Sequence, residues 1–170
     1  MPTFRGKRAG GLRGSKISLY EGGDREPLIV RWPGHFPAGR VDDKTVISAV
    51  DFFPMFCKLT GTPPPTDIAF DGEDLTDSFF GKTATRQKPL FWEYGRNSFS
   101  FDYPRIPRDR SPNVAMRDGK WKLLINADGS HLELCNLEAD RNETKNAADT
   151  NPETAKRLAD AALQWRKSLP

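Results

Sequence analysis

NVAMRDGKWKLLIN, residues 113–126, decides the fold of the second half of this chain. Two apolar runs flank the Asp118-Gly119 pair, and Asp-Gly between such runs is a strong β-hairpin signal. Working outward, PLFWEYG at 89–95 reads as a strand upstream. Downstream, after ADGS, HLELCNL at 131–137 reads as another, with Leu132 and Leu134 alternating until Asn136 breaks the pattern. Three or four antiparallel strands in sequence need a cover on one face. The final segment supplies it. Asn151-Pro152-Glu153-Thr154 is a helix start, and Ala155, Leu158, Ala159, Ala162, Trp165 and Leu169 form one stripe over 152–169.

The first half has a different texture. EPLIVRWPG, residues 26–34, carries a short apolar run stopped by Pro-Gly and predicts a buried strand, one of a large parallel sheet. SAVDFFPMFCKLTG predicts a helix with Asp51 as N-cap, Pro54 in the first turn, an apolar face of Phe52, Phe53, Phe56 and Leu59, and Gly61 as terminator. TPPPTD then breaks regular structure. FDGEDLTDSFFGK is acidic, but its spacing departs from a calcium loop and an Asp-Gly turn explains it. GRNSFSFDYPRIPRDRSPN, residues 95–113, lacks periodicity, and a loop of that length is usually functional or mobile.

With 36% hydrophobic and 29% charged residues, the 170-residue chain suits one or two globular domains rather than a disordered tail. No apolar run has the length of a membrane span, so no membrane partner is expected. The opening MPTFRGKRAGG has no apolar signal-peptide region, which leaves the compartment unknown. Arg5, Lys7, Arg8, Arg13 and Lys16 form an acid-free basic arm suited to phosphate or sulfate, while no nucleic-acid module is legible. Cys57 and Cys135, far apart in sequence, read as buried thiols rather than a bridge or a metal site.

One lysine stands out. Lys16 sits between Gly14 and a Tyr20-Glu21-Gly22-Gly23 turn, where glycines let backbone approach a ligand closely. On its own that pattern fits an anion-binding charge or a solvated surface group. In order along the chain, GSKISLYEGGDREPLIVRWPG, VDFFPMFCKLTG, FDGEDL, LFWEYGRN, AMRDGKWKLL and LELCNLEADRNETKNAA resemble the C-terminal part of the sulfatases. These are formylglycine-dependent sulfuric ester hydrolases of the alkaline phosphatase-like superfamily, and the likeness is greatest to arylsulfatases and N-acetylgalactosamine-6-sulfatase-like members. The resemblance implies that Lys16 is the catalytic lysine touching the sulfate under hydrolysis. Tyr20, Glu21, Gly22 and Gly23 would shape the turn that presents it. Tyr94 stands where many relatives carry a substrate-facing His; with Arg96, Asn97 and the loop to Arg110 it is the candidate substrate rim.

The resemblance also defines what is missing. No C/S-x-P-S-R stretch that would yield formylglycine is present: Cys57 precedes KLT and Cys135 precedes NLE. The Asp-Asn pair that holds calcium in the family falls upstream of the lysine motif, and Asp42-Asp43 reads as a plain polar loop. His35 and His131 follow the lysine, unlike the family's catalytic histidines, and read as surface residues. Residues 1–86 are therefore expected to be the end of an alkaline phosphatase-like α/β catalytic domain and 87–170 an α+β subdomain, a sheet of about four strands on a helix. Calcium and formylglycine are expected only in the full-length enzyme, none being bindable by this chain alone. Its partners would be a sulfate ester, either an aryl sulfate or a sulfated sugar, and the missing N-terminal segment. Full-length relatives are often secreted or periplasmic. Two other readings stay open: a non-catalytic module binding sulfated glycans, and a phosphoesterase of the same superfamily. NET at 142–144 matches a glycosylation acceptor, a short pattern common by chance.

Overall fold

A computed structural model describes residues 8–94, 104 and 106–170. The regular elements are helix α1 (Glu21–Asp24), helix α2 (Phe52–Thr60), strands β1 (Leu90–Glu93), β2 (Val114–Asp118), β3 (Trp121–Ile125) and β4 (Glu133–Asn136), and helix α3 (Pro152–Ser168). The strands form one sheet in the order β1-β2-β3-β4. The hairpin forms where expected with its turn one residue further on: Asp118 pairs with Trp121 as the last residue of β2, and Gly119, at φ +56°, and Lys120 are the central pair. β4 continues the meander antiparallel to β3, with Leu123 opposite Leu134.

Alternation along these strands sorts their side chains onto two faces. Val114, Met116, Leu123, Ile125 and Leu134 meet Ala155, Leu158, Ala159 and Ala162 of α3. Small residues on the helix allow close approach, and Phe91 stacks on Trp165 with ring centroids 5.0 Å apart. The expected helical cover is thus in place. The opposite face is also buried: Ala115 and Leu124 pack on Leu19 and Tyr20, with Trp92 and Tyr94 beside them. The sequence predicts one cover for this sheet; the structure provides two.

By packing, the described residues up to Glu26 join those from Phe91 to Pro170 in one compact unit, and Pro27–Leu90 form another. The sequence places a boundary at 86/87; by packing, the lysine motif groups with the C-terminal sheet.

Within the 27–90 unit, α2 ends at Gly61, whose φ of +68° is the left-handed cap its sequence predicts. Its core differs from the expected stripe. Met55 is fully buried with Leu75 and Phe79, Phe52 and Leu59 pack at the margin, and Phe53 and Phe56 are exposed. Asp51 precedes α2 in a helical conformation and its carboxylate serves other groups: it accepts the Ser48 amide at 2.7 Å and the Glu73 amide at 3.0 Å, and pairs with buried Arg86. The segment read as a buried strand is a correction. Residues 25–32 form no strand, and Leu28, Val30 and Trp32 are exposed, as is Ile29 at 90%. An apolar run becomes a central strand only when neighbouring strands accept its N–H and C=O groups, and the described residues offer it none.

Candidate functional site: the lysine turn and its buried support

Residues 13–24 fold into a tight double turn. The Ser18 amide donates to the Ser15 carbonyl at 3.0 Å, making Lys16 and Ile17 the apex of a turn. Ile17 sits at φ +76°, a region a β-branched residue enters only under strain. A Cβ on Gly23 would lie 2.0 Å from the Ser18 carbonyl oxygen and 2.6 Å from that of Ser15, so only glycine fits beneath the apex. Lys16 itself is exposed, and among the described residues no hydrogen bond or ion pair engages its ammonium.

Beneath this exposed lysine lies a second, fully buried one. Lys122 of β3 points to the same face as Leu124 and reaches Glu21 at 3.0 Å, Glu143 at 3.3 Å and Asp24 at 3.4 Å. Burial alone would lower the Lys122 pKa; Glu143, Glu21 and Asp24 outweigh it and hold the value above the ordinary lysine range. The carboxyls respond unequally. Burial pushes Glu143 up to about 7 and Asp24 up to about 6, with Lys122 offsetting only part of the penalty. For Glu21 the same burial is overcome by Lys122 and Arg25, and its pKa falls below the usual range. Glu143 also accepts the Glu21 amide at 2.6 Å while its own backbone sits at φ +52°.

A second pair braces the same segment. The Arg13 guanidinium bonds Glu133 of β4 at 2.7 Å, the Tyr20 hydroxyl at 2.7 Å and the Glu143 carbonyl at 2.8 Å, and lies 3.7 Å from the Tyr20 ring centroid. Tyr20 in turn donates to Glu133 at 2.7 Å. Burial and the neighbouring Glu133 carboxylate push the Tyr20 pKa up, so the phenol stays protonated.

Of the expected rim, Tyr94 is half-buried on the sheet face that carries Leu19 and Tyr20, its amide donating to the Asn113 carbonyl at 2.8 Å. Arg96 and Asn97 lie outside the described residues, as does most of the loop leading to Arg110. His35 is exposed and stacks on Trp32, and His131 is exposed two residues before β4. Asp42 accepts the Lys44 and Thr45 amides at 3.0 Å each, the work of a loop staple. Both cysteines are free; burial pushes the Cys135 thiol up to about 12, the opposite of a nucleophile's tuning. Among the described residues no group of three or more His, Cys, Asp or Glu forms a metal site. Where three carboxylates do converge, the Lys122 ammonium already stands among them.

Sequence reasoning passed over Lys122, Glu143 and Glu133, and read Arg13 as part of a basic arm where the structure pairs it with Glu133. A lysine at an inward position of WKLLI is the one signal that was available, because alternation places Lys122 on the face of Leu124.

The family profile described as N-sulphoglucosamine sulphohydrolase, C-terminal, matches residues 15–167, from beside the lysine turn through the last helix. Human arylsulfatase A is 33% identical over 130 residues, covering 76% of this chain and 23% of its own length. An N-acetylgalactosamine-6-O-sulfatase from Bacteroides thetaiotaomicron is 27% identical over 151 residues, covering 87% of this chain and 28% of its own length. A solved Bacteroides thetaiotaomicron structure described for the metabolism of multiple glycosaminoglycans superposes with a TM-score of 0.68 at 26% identity, covering 94% of this chain and 33% of that one. The chain thus spans about a quarter to a third of these relatives. With the lysine motif, the four-stranded sheet and its closing helix all inside the matched region, this chain belongs to the sulfatase family as its C-terminal domain.

Proposed function

We propose that this chain works as the C-terminal part of a sulfate ester hydrolase and that Lys16 faces the sulfate. One observation carries the reading: an exposed lysine that pairs with none of the described residues stands at the apex of a strained turn backed by buried Ser18, Leu19, Tyr20 and Glu21. Hydrolysis of a sulfate ester shifts negative charge onto the leaving oxygen. A fixed ammonium beside the sulfate oxygens therefore stabilises the transition state more than the ground state. A compact point charge suits that role better than a planar fork. Tyr94, with Arg96 and Asn97, would form part of the substrate rim.

The sequence holds no formylglycine precursor stretch, and among the described residues no group of three or more His, Cys, Asp or Glu forms a metal site. Both would come from other parts of a full-length enzyme, to whose α/β domain residues 1–86 would belong. The exposed Leu28–Trp32 run would be covered there as well. Aryl sulfates and sulfated sugars are the substrate classes that the names of its relatives suggest.

The test is hydrolysis of a chromogenic aryl sulfate with calcium, by the chain alone and by the chain joined to the upstream part of a related sulfatase. The chain alone should give no turnover above background. The joined enzyme should turn over, and Lys16→Ala should lower its rate by about a hundredfold or more. Turnover by the chain alone would reveal a nucleophile of its own and overturn the reading. Salt-sensitive binding to a heparin-like polymer, without turnover in the joined enzyme, would favour a glycan-binding module instead.

A further inference from the structure

We propose that Lys122, acting through Glu21 and Glu143, is the positioning residue of the Lys16 turn, and that the protonation state of this buried cluster sets how firmly the turn is held. The functional importance of the proposal rests on Lys16 being the sulfate-facing lysine; the positioning itself does not.

Three links run from the cluster to the apex. The Glu21 carboxylate, at the start of α1, is held by the ammonium at 3.0 Å, and its amide is held by Glu143 at 2.6 Å. The next amide, Gly22, donates to the Arg13 carbonyl at 2.7 Å, joining the two arms of the double turn. Gly23 then lies directly under the Ser15 and Ser18 carbonyls, so a shift of α1 moves the floor on which the apex rests. The apex cannot relax independently, because Ile17 is held at a φ it would leave if released.

The charge balance of this cluster is uneven. One buried ammonium faces Glu21 and Asp24 from α1 and Glu143 from the connection between β4 and α3. Arg25 reaches only Glu21, at 3.1 Å, and Arg117 of β2 also acts on Glu21. On the far side of Glu143, Arg13 is engaged by Glu133 and reaches the Glu143 carbonyl. When all three carboxyls ionise, like charges a few ångströms apart crowd around one buried ammonium, and Arg25 relieves Glu21 alone of them. Each proton retained on Asp24 or Glu143 relieves that repulsion. Their raised values, about 6 and about 7, put the change between weakly acidic and weakly basic solution. The turn should be tight on the acid side and loose on the alkaline side.

Hydrogen–deuterium exchange of the full chain, read by peptide mass spectrometry and corrected for intrinsic exchange rates, tests this without any assay of activity. Between about pH 5.5 and about pH 8, protection of peptides carrying the Ser18, Glu21 and Gly22 amides should fall about tenfold or more. Peptides from β3 should keep theirs. Glu143→Gln, which mimics the protonated acid, should flatten the fall, and Lys16→Ala should leave it unchanged. A pH-independent turn in the parental chain overturns the proposal without recourse to any variant. So does an equal fall in β3, which would make the effect global, or a fall undiminished in Glu143→Gln. Failure of the aryl sulfate assay alone would instead remove Lys16 from the chemistry and leave the positioning intact.

Discussion

The two compact units of this chain treat apolar residues in opposite ways, while each buries a charged pair, Lys122 with Glu143 in one and Arg86 with Asp51 in the other. Around the sheet, burial reaches even a lysine and a glutamate: Lys122 and Glu143 are each within 1% of full burial. In the 27–90 unit, Leu28, Ile29, Val30, Trp32, Val50, Phe53, Phe56 and Ile68 are exposed, and Met55, Leu75 and Phe79 form the core. The difference lies in covers. The sheet has α3 on one face and residues 13–24 on the other, so its inward charges must be paired. An apolar run such as Leu28–Trp32 has no sheet around it and meets water instead. Hydrophobicity by itself therefore says little about burial here; the partner surface decides.

If that contrast is right, the largest loss should follow from a charged residue. Lys122→Ala removes the ammonium shared by buried Glu21 and Glu143 and half-buried Asp24, with Arg25 left to serve Glu21, and should cost the sheet unit about 3–5 kcal/mol, measured by chemical denaturation. A near-neutral result would mean that water reaches the cluster. Next, Leu134→Ala in β4 should cost about 2–5 kcal/mol through the cavity it opens against α3. Gly23→Ala should cost about 1–3 kcal/mol, because its Cβ has backbone oxygen in its way.

The pH response sharpens the same comparison. Asp24 and Glu143 have raised values, so the folded state binds more protons than the unfolded chain from the ordinary carboxylate range up to about 7. Stability of the sheet unit is then greatest below that window and falls as pH rises through about 6 and about 7. Glu21 works in the other direction, its contribution being lost only as pH drops below the usual carboxylate range. Thermal melts from about pH 5 to about pH 8 should show this decline, by about 1–3 kcal/mol, and Glu143→Gln should reduce it. A melt that rises over that interval would contradict the cluster's assigned charges. The smallest effect is expected at Ile29: Ile29→Lys should change stability by less than about 0.5 kcal/mol while reducing self-association of the chain, read by light scattering. A cost of a core residue's size would show that this run is buried after all.

What the sequence by itself determined is the local and periodic part of this protein. Asp118-Gly119 set the hairpin, Gly61 ended α2, and the Ala155–Ala162 stripe set the face of α3, because each depends on backbone preference or on residues one turn apart. The ordered motifs also carried the family and pointed to Lys16. Only tertiary structure decided the rest. That residues 13–24 cover the second face of the sheet depends on contacts such as Arg13–Glu133 and Glu21–Lys122, made across most of the chain's length. The pattern of EPLIVRWPG fits a strand, yet a strand requires neighbours to accept its hydrogen bonds, and no local preference supplies them. Lys122 makes the same point in reverse. Its sequence neighbours place it in a strand, but its burial follows from three carboxylates brought from distant segments, each needed to offset the cost of removing an ammonium from water.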